Sequence, residues 1–252
     1  MSDGSGGEGN GLAGAIVLVT GAAQGIGECV ARTLHRAGAV LNLADQQVDR
    51  VTDVAQQVDA TPMHVDISDP SSARGMIDRV LSKHGRLDAL VNVAGIDAPY
   101  ALPLDVDDDH WRRLIDVDLS GPWWCTRAAL DPMMQQGSGR IVSIASVCGA
   151  VPCRGVSVAY AAAKAGVVGM TMALAAEVEQ FGILVNAIAP GATGTTGTPM
   201  TDDQLSSYRS KYPLGTGGPQ PVADAVEYLL GDSGRWTSGS VLNVSGGYWH
   251  GR

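Results

Sequence analysis

Short apolar runs rich in β-branched residues alternate along this chain with longer stretches of helical periodicity. The first three are AIVLVT at 15–20, GIGECVARTLHRAG at 25–38 and AVLNLAD at 39–45, which predict strand, helix and strand. Further strands are predicted at 63–67 (MHVDI), 87–95 (LDALVNVAG), 139–146 (GRIVSIAS), 182–190 (GILVNAIAP) and 240–246 (SVLNVSG), with a helical pattern before each. Strands that are apolar throughout belong to a parallel sheet, because every crossover lays a helix on one face or the other. The predicted fold class is therefore α/β, a single domain with a doubly wound, seven-stranded parallel sheet and helices on both faces.

One segment breaks the rhythm. Residues 191–221 are rich in Gly, Thr and Pro and separate the strand at 182–190 from a helix predicted at 222–231. A long irregular connection after the carboxyl end of a parallel strand suits a substrate lid. Residues 1–10 are glycine-rich and lack the basic and apolar order of a secretion signal, so they are expected to form a disordered tail ahead of one domain over 11–252.

Composition narrows the classes. Hydrophobic residues make up 45% of the 252 positions, enough for one sizeable core. A formal net charge of -9 without a Lys or Arg run argues against a nucleic-acid partner. The longest nearly apolar run, 165–176, is short for a bilayer and leads into Glu177 and Glu179, so no membrane is expected and a cytoplasmic location is. Cys29, Cys125, Cys148 and Cys153 form no CxxC pair and have no histidine at ligand spacing. Reduced buried thiols are expected, with no metal site and no disulfide framework.

Chemistry enters at TGAAQGIG, residues 20–27, directly after the first strand and opening the first helix. Gly21, Gly25 and Gly27 permit a tight turn, and the helix N-terminus beyond Gln24 and Ile26 offers N–H groups to a pyrophosphate. Asp45 ends the second strand eighteen residues after Gly27, where a dinucleotide-binding Rossmann fold places the carboxylate that bonds the adenosine ribose. A 2′-phosphate about 4 Å from that carboxylate would be repelled by roughly 4 kcal/mol at an effective dielectric near 20. Gln24, Gln46 and Gln47 supply no cation to offset this, so NAD is the expected cofactor. Asp45 could also cap the helix that follows.

With TGAAQGIG, Asp45, VNVAG at 91–95 and Tyr160-x-x-x-Lys164 in this order, the chain resembles the short-chain dehydrogenase/reductase family from Gly11 to Tyr248. The resemblance implies a nicotinamide-dependent oxidoreductase acting on a small alcohol or ketone, and assembly as a homo-oligomer, either dimer or tetramer. It places Asp66 and Ile67 beside the adenine, Asn92, Ala94 and Gly95 along the middle of the cofactor, and Pro190 and Gly191 facing the nicotinamide, with Thr193 or Thr195 as the hydroxyl there. It also implies a catalytic group of Ser146, Tyr160 and Lys164. Val93 stands where the family usually has a second Asn, and Ser238 and Ser245 where it commonly has Thr and Asp.

The trio makes chemical sense. Tyr160 and Lys164, at i and i+4, share a helical face, and a nearby cation favours a phenolate over a phenol. Tyr160 can then take an alcohol proton or return it to a ketone, while Ser146 hydrogen-bonds the substrate oxygen and Lys164 anchors the ribose. Ser143 lies too early on its strand for that role. The sharper departure is Asp118, where the family usually has Asn. Its carboxylate is expected near Lys164 as a counter-charge, or else bonded to neighbouring N–H groups.

Ile96, Asp97, 150–156 with Arg154, and Met200 and Tyr208 in the lid are expected to face the substrate. The leading reading is an NAD-dependent dehydrogenase of a secondary alcohol. The alternatives are a carbonyl or 3-oxoacyl reductase, a kind that usually draws on NADPH, and a catalytically silent NAD-binding protein.

Overall fold

The computed structural model describes residues 11–250 apart from 98–101, 154, 195–200, 202, 204–205, 207–209 and 211. Arg154, Thr195, Met200 and Tyr208 thus lie outside the described residues. Seven parallel strands form one sheet in the order β3-β2-β1-β4-β5-β6-β7. They are β1 (Ile16–Thr20), β2 (Val40–Asp45), β3 (Thr61–His64), β4 (Ala89–Asn92), β5 (Gly139–Ile144), β6 (Ile183–Pro190) and β7 (Val241–Val244). Among the described residues the α-helices are α1 (Gly25–Arg36), α2 (Val48–Gln57), α3 (Pro70–His84), α4 (Asp108–Ile115), α5 (Gly121–Gln136), α6 (Val158–Val178) and α7 (Gln220–Leu230).

Side chains alternate across the sheet and sort the core into two layers. Val17 and Val19 of β1 join Val30 and Leu34 of α1, Val51 of α2, and Val226 and Leu229 of α7. Ile16 and Leu18 join Met76 and Val80 of α3, Cys125 and Met133 of α5, and Ala175 and Val178 of α6. Burial on both faces is why these strands read as unbroken apolar runs.

Several predicted strands are longer in sequence than in the sheet. The run at 63–67 pairs as Thr61–His64, a short edge strand that tolerates Pro62, and Val65–Ile67 turn away above it. The run at 87–95 pairs only through Asn92, and 139–146 only through Ile144. In each case the trailing residues leave the carboxyl edge, where the chain reverses its order about β1 and opens a crevice between β1 and β4.

The expectation of four reduced thiols is corrected. Cys148 and Cys153 are joined in a disulfide across five positions, with their Cα atoms 5.2 Å apart, while Cys29 and Cys125 are free. A 3₁₀ turn over Val147–Gly149 folds the chain back and brings the pair within bonding reach, which linear spacing does not reveal. The helix from Val158 to Phe181 is long and apolar enough by composition to cross a membrane, longer than the run at 165–176 suggested. In this fold it packs along β6 and β5 as a helix of the sheet.

Candidate active site

A cleft of about 960 Å³ opens along the carboxyl edge of the sheet and gathers most of the predicted residues. At one end lie Gly21, Gln24, Gly25, Ile26 and Gly27, with Asp45, Asp66 and Ile67. Gly21 adopts φ +68, and a Cβ on it would stand 2.6 Å from the Ala94 backbone; a Cβ on Gly27 would stand 2.0 Å from the Gly21 carbonyl. These two positions therefore admit only glycine, and the loop presses against the 93–95 segment. Gln24 precedes α1 without a side-chain cap, so the N-terminal amides of α1 have no side chain of their own loop to satisfy them. That is the cradle a pyrophosphate fits.

Asp45 ties this end together. Its Oδ2 accepts the Ala23 N–H at 3.0 Å and its Oδ1 the Gln47 N–H at 2.9 Å. It binds the glycine loop to the end of β2, while α2 starts later, after Gln47, with no side-chain cap. Asp66 accepts both the Ser68 hydroxyl and the Ser68 N–H, and the hydroxyl bond above all holds its carboxyl below the usual range. Arg50, unremarked in the sequence, donates to Gln24 Oε1 at 2.7 Å and brings a cation to the rim of the loop.

The 93–95 segment forms the middle of the cleft, lined by Val93, Ala94 and Gly95. Asn92 itself is turned away: its Nδ2 donates to Thr126 and Ser143 in the buried layer behind the sheet. Ser143 is thereby accounted for as a core residue. Thr20, also missed, accepts the Val93 and Ala94 N–H groups and fixes the segment to β1.

At the other end stand Ser146, Tyr160, Lys164, Pro190, Gly191 and Thr193, with Ile96 and Asp97. Ser146 leaves β5 in extended conformation and its Oγ accepts the Cys148 N–H at 3.2 Å. Tyr160 is half-buried in the first turn of α6, and Lys164, one turn on, is 5% exposed. The Lys164 Nζ lies 5.5 Å from the Tyr160 ring centroid and donates to the Ile144 carbonyl at 3.3 Å. Gly149 packs so closely on α6 that a Cβ there would meet the Lys164 backbone at 2.5 Å. Asp118, fully buried, sits 3.5 Å from the Lys164 ammonium. Its carboxylate is thus both expected things at once, a counter-charge and an acceptor for a neighbouring N–H, that of Ile96 at 2.8 Å. Among the described residues no cluster suits a metal ion.

A doubly wound sheet with a glycine turn, an acid at the end of β2 and a Tyr–Lys helix at the crevice defines a nucleotide-cofactor oxidoreductase site. The comparisons agree with that class. A family described as Enoyl-(Acyl carrier protein) reductase matches residues 21–249. The chain is 37% identical over 242 residues to cis-4-hydroxycyclohexanecarboxylate dehydrogenase of Sinomonas cyclohexanicum, covering 92% of this chain and 96% of that one. It is 35% identical over 241 residues to 3-oxoacyl-[acyl-carrier-protein] reductase FabG of Escherichia coli (strain K12), with 94% and 98% covered. A short-chain type dehydrogenase/reductase from Mycobacterium marinum superposes with TM-score 0.91 at 30% identity, covering 97% and 99% of the two chains. The chain belongs to the short-chain dehydrogenase/reductase family, and it is an oxidoreductase of that family, whose cofactor is a nicotinamide.

Proposed function

We propose that this protein is an NAD-dependent dehydrogenase acting on a secondary alcohol or the matching ketone, with Tyr160 as general acid and base. The observation that carries the reading is one cleft holding Asp45 at the ribose end and Tyr160 beside Lys164 at the other. A bound nicotinamide would supply or receive the hydride. The residues of the chain do the rest. Ser146 orients the substrate oxygen, Tyr160 takes the hydroxyl proton during oxidation and returns it during reduction, and Lys164 steadies the developing phenolate and the ribose. Asp45 bonds the adenosine ribose, and Asp66, Ile67, Ala94, Gly95, Pro190, Gly191 and Thr193 complete the cofactor wall.

The relative named for cis-4-hydroxycyclohexanecarboxylate supports a ring-bearing secondary alcohol as the substrate class. The reading includes one catalytic domain over 11–252, a lid over 191–221, a cytoplasmic location and a homo-oligomer. A second reading, an NADPH-type 3-oxoacyl reductase, draws on the 35% identical relative and on Arg50 at Gln24, a cation near the place a 2′-phosphate would occupy. Asp45 opposes it, because a carboxylate bonding the adenosine ribose would repel a phosphate on that ribose.

A panel of cyclic and acyclic secondary alcohols and ketones, each with NAD and NADP and read by nicotinamide absorbance, tests both readings. Turnover of alcohols with NAD is expected. Turnover of 3-oxoacyl thioesters with NADPH alone would replace the first reading by the second.

A further inference from the structure

Asp118 lies where α4 meets α5, in a π-helical turn over Asp116–Ser120, a distortion that recurs at functional sites. Its Oδ1 accepts the Ile96 N–H at 2.8 Å. Its Oδ2 points at the Lys164 Nζ 3.5 Å away, too far for a hydrogen bond, and is left without one although buried. The ammonium, with three protons to place, has the Ile144 carbonyl at 3.3 Å. Gly95 packs closely on the pair, since a Cβ there would lie 3.3 Å from both Asp118 Oδ1 and Lys164 Nζ. Among the described residues this is the one ion pair with both partners buried; every other pair has a side chain at least a third exposed. A carboxylate removed from water to this depth is costly unless the cation beside it compensates.

We propose that Asp118 is a positioning residue: its carboxylate holds the Lys164 ammonium at the end of β5 and takes up part of the positive field that would otherwise fall on Tyr160. The inference rests on the reading of Tyr160 as the acid and base. The signs of the charges give its direction, since an anion 3.5 Å from the ammonium offsets the positive potential that the ammonium casts on the neighbouring phenol. Burial pushes the Asp118 carboxyl above its ordinary range, the Lys164 ammonium and the Ile96 N–H pull it back, and Asp97 adds to the rise. As pH falls, Asp118 therefore takes a proton before ordinary aspartates do, and the ammonium is released toward Tyr160. Of the other charged groups nearby, Arg112 and Arg113 of α4 and Asp116 of the turn line the same cleft, whereas Arg127 and Asp131 of α5 line a separate cavity.

The chain has three lysines, Lys83, Lys164 and Lys211, so carbon-13 NMR of lysine Cε in the cofactor-free protein resolves them, and Lys164→Arg assigns the signal. In the wild type the Lys164 resonance is expected to follow a carboxyl titration with its midpoint above about 3.9. Asp118→Asn is expected to abolish that step and, in turnover, to move the acid limb of kcat/KM for alcohol oxidation about one pH unit lower. A Lys164 resonance in the folded wild type with no such step overturns the proposal, and so do coincident pH–rate profiles. If Asp118→Asn does not fold, the wild-type titration decides alone. If no alcohol is oxidised, the functional reading fails while the NMR result still judges Asp118.

Discussion

In the proposed reading, Asp45 concentrates the choice of cofactor in one carboxylate. It accepts two backbone N–H groups, which fix its position between the end of β2 and the glycine loop. Repulsion of roughly 4 kcal/mol corresponds to a preference for NAD on the order of 10³. Asp45→Ala is expected to reduce the NAD-to-NADP ratio of kcat/KM at least about tenfold, measured with one alcohol at fixed ionic strength. Arg50→Ala in that background should then weaken the NADP activity gained; an unchanged ratio in both variants would remove Asp45 from the argument. At this scale the sequence was legible where the backbone demands a residue type, as at Gly21 and Gly27. It was silent on Thr20 and Arg50, whose contacts lie with residues far away in the chain. Asn92 shows the converse, a residue in a recognised motif whose side chain serves the core.

The glycine loop and the turn after β5 each act as a unit. Gly27→Ala places a methyl group into the Gly21 carbonyl, which only a shift of the loop can relieve. Fluorescence titration is expected to show NADH affinity reduced by tenfold or more, with stability reduced by about 1–3 kcal/mol. Wild-type NADH affinity in this variant would mean that the loop does not cradle the cofactor. Between Ser146 and Tyr160, the disulfide closes the segment whose Cys148 N–H bonds the Ser146 hydroxyl. Denatured protein should titrate two thiols before reduction and four after it. In the folded protein Cys125, pushed up to about 12 by burial, should resist alkylation at neutral pH. Four thiols without reductant would show the pair unbonded. Element types were legible because burial on both faces writes continuous apolar runs. Their ends were not, since residues that leave the sheet to line the cleft, such as Val93–Gly95, Val65 and Ile67, are as apolar as those inside it.

For the whole molecule, α6 carries both a residue of the cleft and an exposed apolar face. Its inner face holds Lys164 and packs on the sheet, while Val158 and Met172 are exposed and Gly169 has open space around its Cα. An apolar face of this kind on a helix of the site suits a second copy of the chain. Gly169→Arg is expected to leave the fold intact and to reduce the mass seen by light scattering to that of one 26.0 kDa chain. An unaltered oligomer would place the contact elsewhere. The architecture of the sheet was legible from strand and helix alternation, and its one surprise, the disulfide, came from a turn that carries no periodic signal. In the proposed mechanism Tyr160 moves the proton in a cleft that binds a nicotinamide independently of it. Its most direct test is Tyr160→Phe, measured for kcat with the best alcohol and for NADH affinity by fluorescence. The account predicts kcat lower by about 10²–10⁴ with NADH affinity within a few-fold of wild type. Wild-type kcat in Tyr160→Phe would contradict it.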